Sequence, residues 1–191
     1  PDTNHAKLLR VGEHDRPRSL PTGHHHLALS NEPRHDSIHM SHFETFATGR
    51  YRTVRPLGIG GSATVYAVFD EQLEVERAIK VLNPHAALSD TVRERVLREA
   101  RITAKLNHPH VITVHDSFLE QDLPCIVMEL GFGSLNDWVR QKGVLTPSAA
   151  ARSLLGVLDA LQYAHETGII HRDIKPQNLL ISGTGALKLA D

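Results

Sequence analysis

The sequence predicts an α+β chain in which a five-stranded antiparallel unit carrying one helix precedes a helical unit. Three observations predict it. Five short apolar runs suited to strands lie between residues 51 and 130, with short connections. One helical stretch at 90–106 interrupts them. After Gly133 the pattern changes to helices. The segments are therefore 1–50, 51–130 and 131–191, the first read as a disordered stretch containing histidine and proline.

Composition narrows the function classes. The 191 residues include 21 Lys+Arg and 22 Asp+Glu, a net charge of −1. That balance lacks the basic footprint of a phosphate-tracking nucleic-acid binder. With a single cysteine, Cys125, the chain cannot form an internal disulfide, so nothing argues for an oxidising compartment. No apolar run approaches the ~20 residues needed to span a bilayer, and no signal peptide is evident. A cytoplasmic location is expected. The first residue is Pro rather than Met, which reads as a fragment or a processed product. Residues 1–39 hold seven of the fourteen histidines and few large apolar residues. They are read as disordered, or as sequence outside a natural start at Met40. The run His24-His25-His26 is weak as a metal site, because no further ligand pair stands at the required spacing.

The elements follow in order. YRTVRPLG, from Tyr51, reads as a strand, and TVYAVFD follows after a glycine-rich turn. VERAIKVL is the third strand, and alternation puts Ala78, Lys80 and Leu82 on one face. The helix at 90–106 opens with Thr91 and Glu94 at capping-box spacing. VITVHDSFLE and PCIVMEL complete the strands. Ser134 and Asp137 cap a short helix through Trp138. Thr146-Pro147 opens a long helix that ends at Gly168, with proline where its missing N–H costs nothing. The short strands NLLI and LKLA flank the turn SGTG.

Three groups of residues carry chemistry. In the helix at 90–106, Glu99 falls within a stripe of Val92, Val96, Ile102 and Leu106. A carboxylate there calls for a cation, either Lys80 or Arg95 one turn back. The stretch LGIGGSATVY, 57–66, places glycines between two strands, where backbone N–H groups can approach phosphates. By itself this is a weak signal, since a glycine-rich hairpin is more often only a turn. HRDIKPQN, 171–178, with Asp191 eighteen residues beyond Asp173, is the strongest signal. Asp173 suits the acceptance of a hydroxyl proton, and Asn178 and Asp191 suit Mg²⁺, a cation that prefers oxygen ligands. Lys175 suits neutralisation of a moving phosphoryl group.

Residues 51–191 resemble a eukaryotic-type protein kinase of the serine/threonine branch. The resemblance implies a bilobal protein-kinase-like fold, with a five-stranded N-lobe and a truncated helical C-lobe. It implies ATP and Mg²⁺ as cofactors and a protein bearing Ser or Thr as substrate, with no nucleic acid and no membrane segment in this chain. The ATP phosphates would lie under Leu57, Gly58, Ile59, Gly60 and Gly61, followed by Ser62, Ala63, Thr64 and Val65. Ala78-Ile79-Lys80 matches the strand whose lysine meets the phosphates, and Glu99 matches its helix partner, which favours Lys80 over Arg95. Met128, then Glu129 and Leu130, match the back and hinge of the adenine pocket, and Leu180 matches its floor. Asp173 matches the catalytic aspartate, with Lys175 beside it. His171 is expected as a structural support. Arg172 implies that an activation-loop phosphate orders the site.

Three features depart from that pattern. Ala63 replaces the third loop glycine, the hinge ELGFGSL is one residue short, and Asp191 stands last where Asp-Phe-Gly is expected. The short hinge leaves the ribose contact to Ser134 or Asp137. Two other readings share parts of the constellation: a small-molecule phosphotransferase of the aminoglycoside or choline type, and an ATP-binding pseudokinase. Arg172, Lys175 and the HPHV turn favour the protein kinase over the first. The intact Lys80, Asp173 and Asp191 weigh against the second. In the long helix Ala151, Leu154, Leu155, Leu158 and Leu161 form one stripe, opposite Ala149, Gly156, Ala160 and Ala164. Burial on both sides is expected, so the chain alone is expected to be poorly stable and inactive, its kinase activity belonging to a parent enzyme.

Overall fold

The computed structural model describes residues 43–87 and 89–191. The predicted disorder of 1–39 and the histidine run at 24–26 lie outside the described residues. The elements are β1 (Thr45–Phe46), β2 (Tyr51–Ile59), β3 (Ala63–Asp70), β4 (Val75–Leu82), α1 (Asp90–Thr103), β5 (Val114–Glu120) and β6 (Leu123–Met128). They continue with α2 (Leu135–Lys142), α3 (Pro147–Glu166), a 3₁₀ turn at Pro176–Asn178, β7 (Leu179–Ile181) and β8 (Leu187–Leu189).

The first six strands form one antiparallel sheet in the order β1-β2-β3-β4-β6-β5. All five expected strands are present. The sixth corrects the N-terminal boundary, because residues 43–50 belong to the folded unit. Phe46 is 1% exposed, and Thr45 and Phe46 pair with Arg52 and Tyr51. Thr53 donates from N to Glu44 O (2.9 Å) and from Oγ1 to Phe43 O (2.7 Å). Tyr51 of β2 stacks on Phe118 of β5 at 6.1 Å, although three strands separate them in the sheet order. The sheet therefore curls until its ends meet.

Period-two alternation sorts the two faces. Tyr66, Val68, Ile79, Val81, Cys125 and Val127 join Phe46 and Tyr51 in a dry core. Lys80 falls on the other face, in register with Val65 and Ile126. Burial pushes the Cys125 thiol up to about 12.

Helix α1 is capped by Ser89, whose side chain accepts from Val92 N, rather than through Thr91. Its buried residues are Leu97 and Ala100, and Val96, Ile102 and Leu106 of the expected stripe line a cavity together with Glu99, whose side chain is largely exposed. The Ser134–Asp137 capping box and the Thr146 cap form as expected. In α3, Ala149, Val157, Ala160 and Ala164 are buried, whereas Leu154, Leu155 and Leu158 are 38%, 64% and 60% exposed. One side of α3 is therefore covered, and it is the small-residue side. Small side chains let the β7–β8 hairpin and the 106–111 loop approach the helix closely. A Cβ at Gly156 would fall 2.2 Å from the His110 imidazole.

Candidate active site

Strand β4 and helix α1 on one side, and the stretches 169–172 and 189–191 on the other, enclose a cavity of about 540 Å³. Ser62, Lys80, Glu99, Met128 and Asp191 are among its lining residues. Leu57, Leu130, Leu180, Asp173 and Asn178 lie outside that lining.

Alternation along β4 aims Lys80 at the cavity. There its ammonium pairs with Asp191 Oδ1. The expected Lys80–Glu99 pair is not formed. Glu99 pairs across one helical turn with Arg95 (3.6 Å), and both side chains are largely exposed. Lys80 and Glu99 line the same cavity without pairing to each other.

The 171–178 segment is sewn together by its own side chains. Lys175 Nζ donates to Asp173 Oδ2 (2.6 Å). Asn178 Nδ2 donates to Asp173 O (2.9 Å) and Oδ2 (3.0 Å). These bonds, Lys175 first, hold the Asp173 carboxyl below the usual carboxylate range, so it is ionised at neutral pH. His171 acts as the expected support, with Nε2 donating to Ala190 O (3.1 Å) and Nδ1 accepting from Asp173 N (3.3 Å). Ala190 N donates to Asn178 O (2.9 Å). Asp173, Asn178 and Asp191 are thereby gathered on adjoining backbone. Arg172 holds a left-handed φ of 67°, strain of the kind stored where geometry is over-determined.

The donor set suits a hard cation with phosphate. Asn178 Nδ2 is committed to Asp173, and the Asn178 Oδ1 meets no donor among the described residues. No group of three or more His, Cys, Asp or Glu side chains able to hold a metal gathers among the described residues. A cation here would draw on Asn178, Asp191 and oxygens of a bound phosphate.

The hinge region lies beside β7. Phe132 N donates to Ile181 O (2.8 Å) and Ile181 N to Gly133 O (2.9 Å). Gly131 packs closely on Leu180, whose side chain would lie 3.1 Å from an added Cβ. Ser134 and Asp137, the suggested ribose contacts, bond to each other (2.6 Å) as a helix cap. Sequence reasoning missed Lys188, which reaches Glu129 Oε2 at 2.7 Å and ties β8 to the hinge. Its only signal is a lysine between two leucines of a short strand.

Comparison with known proteins fits this geometry. The family described as protein kinase domain matches residues 51–191. A probable serine/threonine-protein kinase of Corynebacterium efficiens is 42% identical over 147 residues, 74% of this chain and 22% of that protein. The serine/threonine-protein kinase PrkC of Bacillus subtilis is 37% identical, over 75% of this chain and 22% of its own length. PknB of Mycobacterium tuberculosis is 39% identical, over 74% and 24%. The crystal structure of the M. tuberculosis PknI kinase domain, solved as a point mutant, superposes with a TM-score of 0.66 at 32% identity. That match covers 74% of this chain and 58% of the PknI chain. The chain spans about a quarter of the length of the curated relatives it matches. With strands β2 to β6, helix α1 and the 171–191 segment all inside the matched range, the chain belongs to the protein kinase domain family, on the serine/threonine branch.

Proposed function

We propose that this chain carries the catalytic elements of a Mg-ATP-dependent protein serine/threonine kinase. The observation that supports it best is the 171–191 network, in which an ionised Asp173 adjoins the Lys80–Asp191 pair. In this reading Asp173 orients the substrate hydroxyl and accepts its proton. The new bond joins that oxygen to the γ-phosphorus as the bond to the ADP oxygen breaks. Lys175 offsets charge on the transferring group. Lys80 meets the α- and β-phosphates, exchanging Asp191 for them. Asn178 and Asp191 would hold Mg²⁺, whose chemistry is to neutralise phosphate charge. The glycine-rich loop would cover the phosphates, with Ala78, Met128, Glu129, Leu130 and Leu180 around adenine. No step is assigned to Glu99, which lines the cavity but pairs with Arg95 rather than Lys80. No helix among the described residues is long and apolar enough to cross a membrane. A cytoplasmic catalytic unit, where ATP is found, fits this reading.

The test supplies radiolabelled ATP with Mg²⁺ and protein acceptors to the full-length protein and its Asp173→Asn variant. Label on Ser or Thr, reduced by about 10²–10⁴ in the variant, is the expected outcome. Label on small molecules alone would favour the aminoglycoside- or choline-type phosphotransferase. Nucleotide binding without turnover would favour the pseudokinase.

A further inference from the structure

Asn83, at the end of β4, is a buried polar residue that the function has not absorbed; it is 6% exposed. Its backbone N–H donates to Ser62 O (2.8 Å). Its amide Nδ2 donates to Gly60 O (2.9 Å) and to Gly61 O (3.1 Å). Its Oδ1 accepts from Thr64 Oγ1 (3.1 Å). His85 Nε2 donates to the same Gly61 carbonyl (2.7 Å). A buried carboxamide is costly unless its hydrogen bonds are made. Here both donors and the acceptor converge on one target, the tip of the glycine-rich hairpin.

The direction of that pull matters. Lys80 and Leu82 line the cavity, while Ile79 and Val81 enter the core on the opposite face. Asn83 continues the second series, so it draws the loop carbonyls away from the cavity side. The peptide bonds are trans, and a trans peptide points its C=O and N–H in opposite directions. With the Gly60 and Gly61 carbonyls held by Asn83, the N–H groups of Gly61 and Ser62 turn toward the side where Lys80 lies. These two N–H groups meet no acceptor among the described residues. The hairpin is also tightened from within, by Gly60 N donating to Ala63 O (2.9 Å).

We propose that Asn83, assisted by His85, is a positioning residue that presets the Gly61 and Ser62 amides as donors to the ATP phosphates. The inference rests on the ATP-binding reading above. Asparagine suits the position because no other side chain of its size supplies two donors to two carbonyls and an acceptor to Thr64. Aspartate would set a carboxylate against both carbonyls. Preset N–H donors bind an anion without the cost of ordering a free loop.

The test is calorimetric titration of the full-length protein with Mg-ATP and, separately, with adenosine, which has no phosphate. Asn83→Ala is expected to weaken Mg-ATP about tenfold and to leave adenosine within about twofold. Asn83→Asp, nearly isosteric, is expected to weaken Mg-ATP at least as much. His85→Ala is expected to give a smaller change of the same kind. Retained adenosine binding certifies a folded cleft in each variant; if the alanine variant loses it, the aspartate variant decides. Unchanged Mg-ATP affinity in both Asn83 variants overturns the proposal. So does an equal loss for both ligands in both variants, which marks a purely structural role. A wild-type protein that binds neither ligand overturns the ATP reading itself, and this inference with it.

Discussion

The two halves of the molecule bury different kinds of side chain. In the sheet half, large residues are sealed completely: Phe46 and Tyr51 are each 1% exposed, and Ile79, Val68 and Val127 are wholly covered. In the helical half, α3 buries mainly small residues, Ala149, Ala160 and Ala164 beside Val157, and turns Leu155 and Leu158 outward. Most of the apolar area that resists unfolding therefore lies in the sheet. The helical half relies on close approach and hydrogen bonding to hold the 171–191 segment in place. Such a division leaves the sheet firm and its partner surface dependent on a few fitted contacts.

Four measurements bear on this contrast. The largest effect is expected from Phe46→Ala, about 3–5 kcal/mol by chemical denaturation, because it empties a sealed site that Phe43 and Tyr66 both contact. A loss near zero would mean that residues 43–50 do not belong to the sheet core. Gly156→Ala is expected to cost about 1–3 kcal/mol, since the added Cβ drives His110 off its 2.7 Å bond to Leu187 O. Asp70 probes the sheet half through pH. Burial raises its pKa, but Arg50 and the N–H groups of Gln72 and Leu73 outweigh that and hold it below 3.8. A depressed folded pKa contributes stability above the unfolded value and loses it as pH falls through the folded one. Wild type is therefore expected to weaken below about pH 4, and Asp70→Asn should lack that component of the acid slope. The smallest effect belongs to Leu155→Gln and Leu158→Gln, each expected within about 0.5 kcal/mol. A large loss from either would show that the outward face carries packing.

Legibility in the sequence followed the range of the forces involved. Strands β2 to β6 were readable because alternation is local, and the caps at Ser134 and Thr146 were readable for the same reason. The two-residue β1 carries no period; it exists because Phe46 packs against Tyr66, a contact made only after folding. The string 171–178 stood out through residue types and spacing, and the fold gathers it beside Asp191. The helical wheel placed Glu99 beside Val96 and Ile102, which line the cavity with it, but a wheel does not show which cation the carboxylate meets: Arg95 pairs with Glu99, and Asp191 with Lys80. Lys188–Glu129 and the Asn83 contacts were illegible because each joins segments brought together by the sheet and the hairpin.

Cys125 sits under the sheet opposite Val81, with no exposed surface and a thiol that stays protonated across the physiological range. Swings in cellular redox poise therefore leave the native state untouched. The same atom is a ready-made stopwatch: an alkylating reagent can mark it only when β4 and β6 part, so its labelling rate counts how often the sheet comes open.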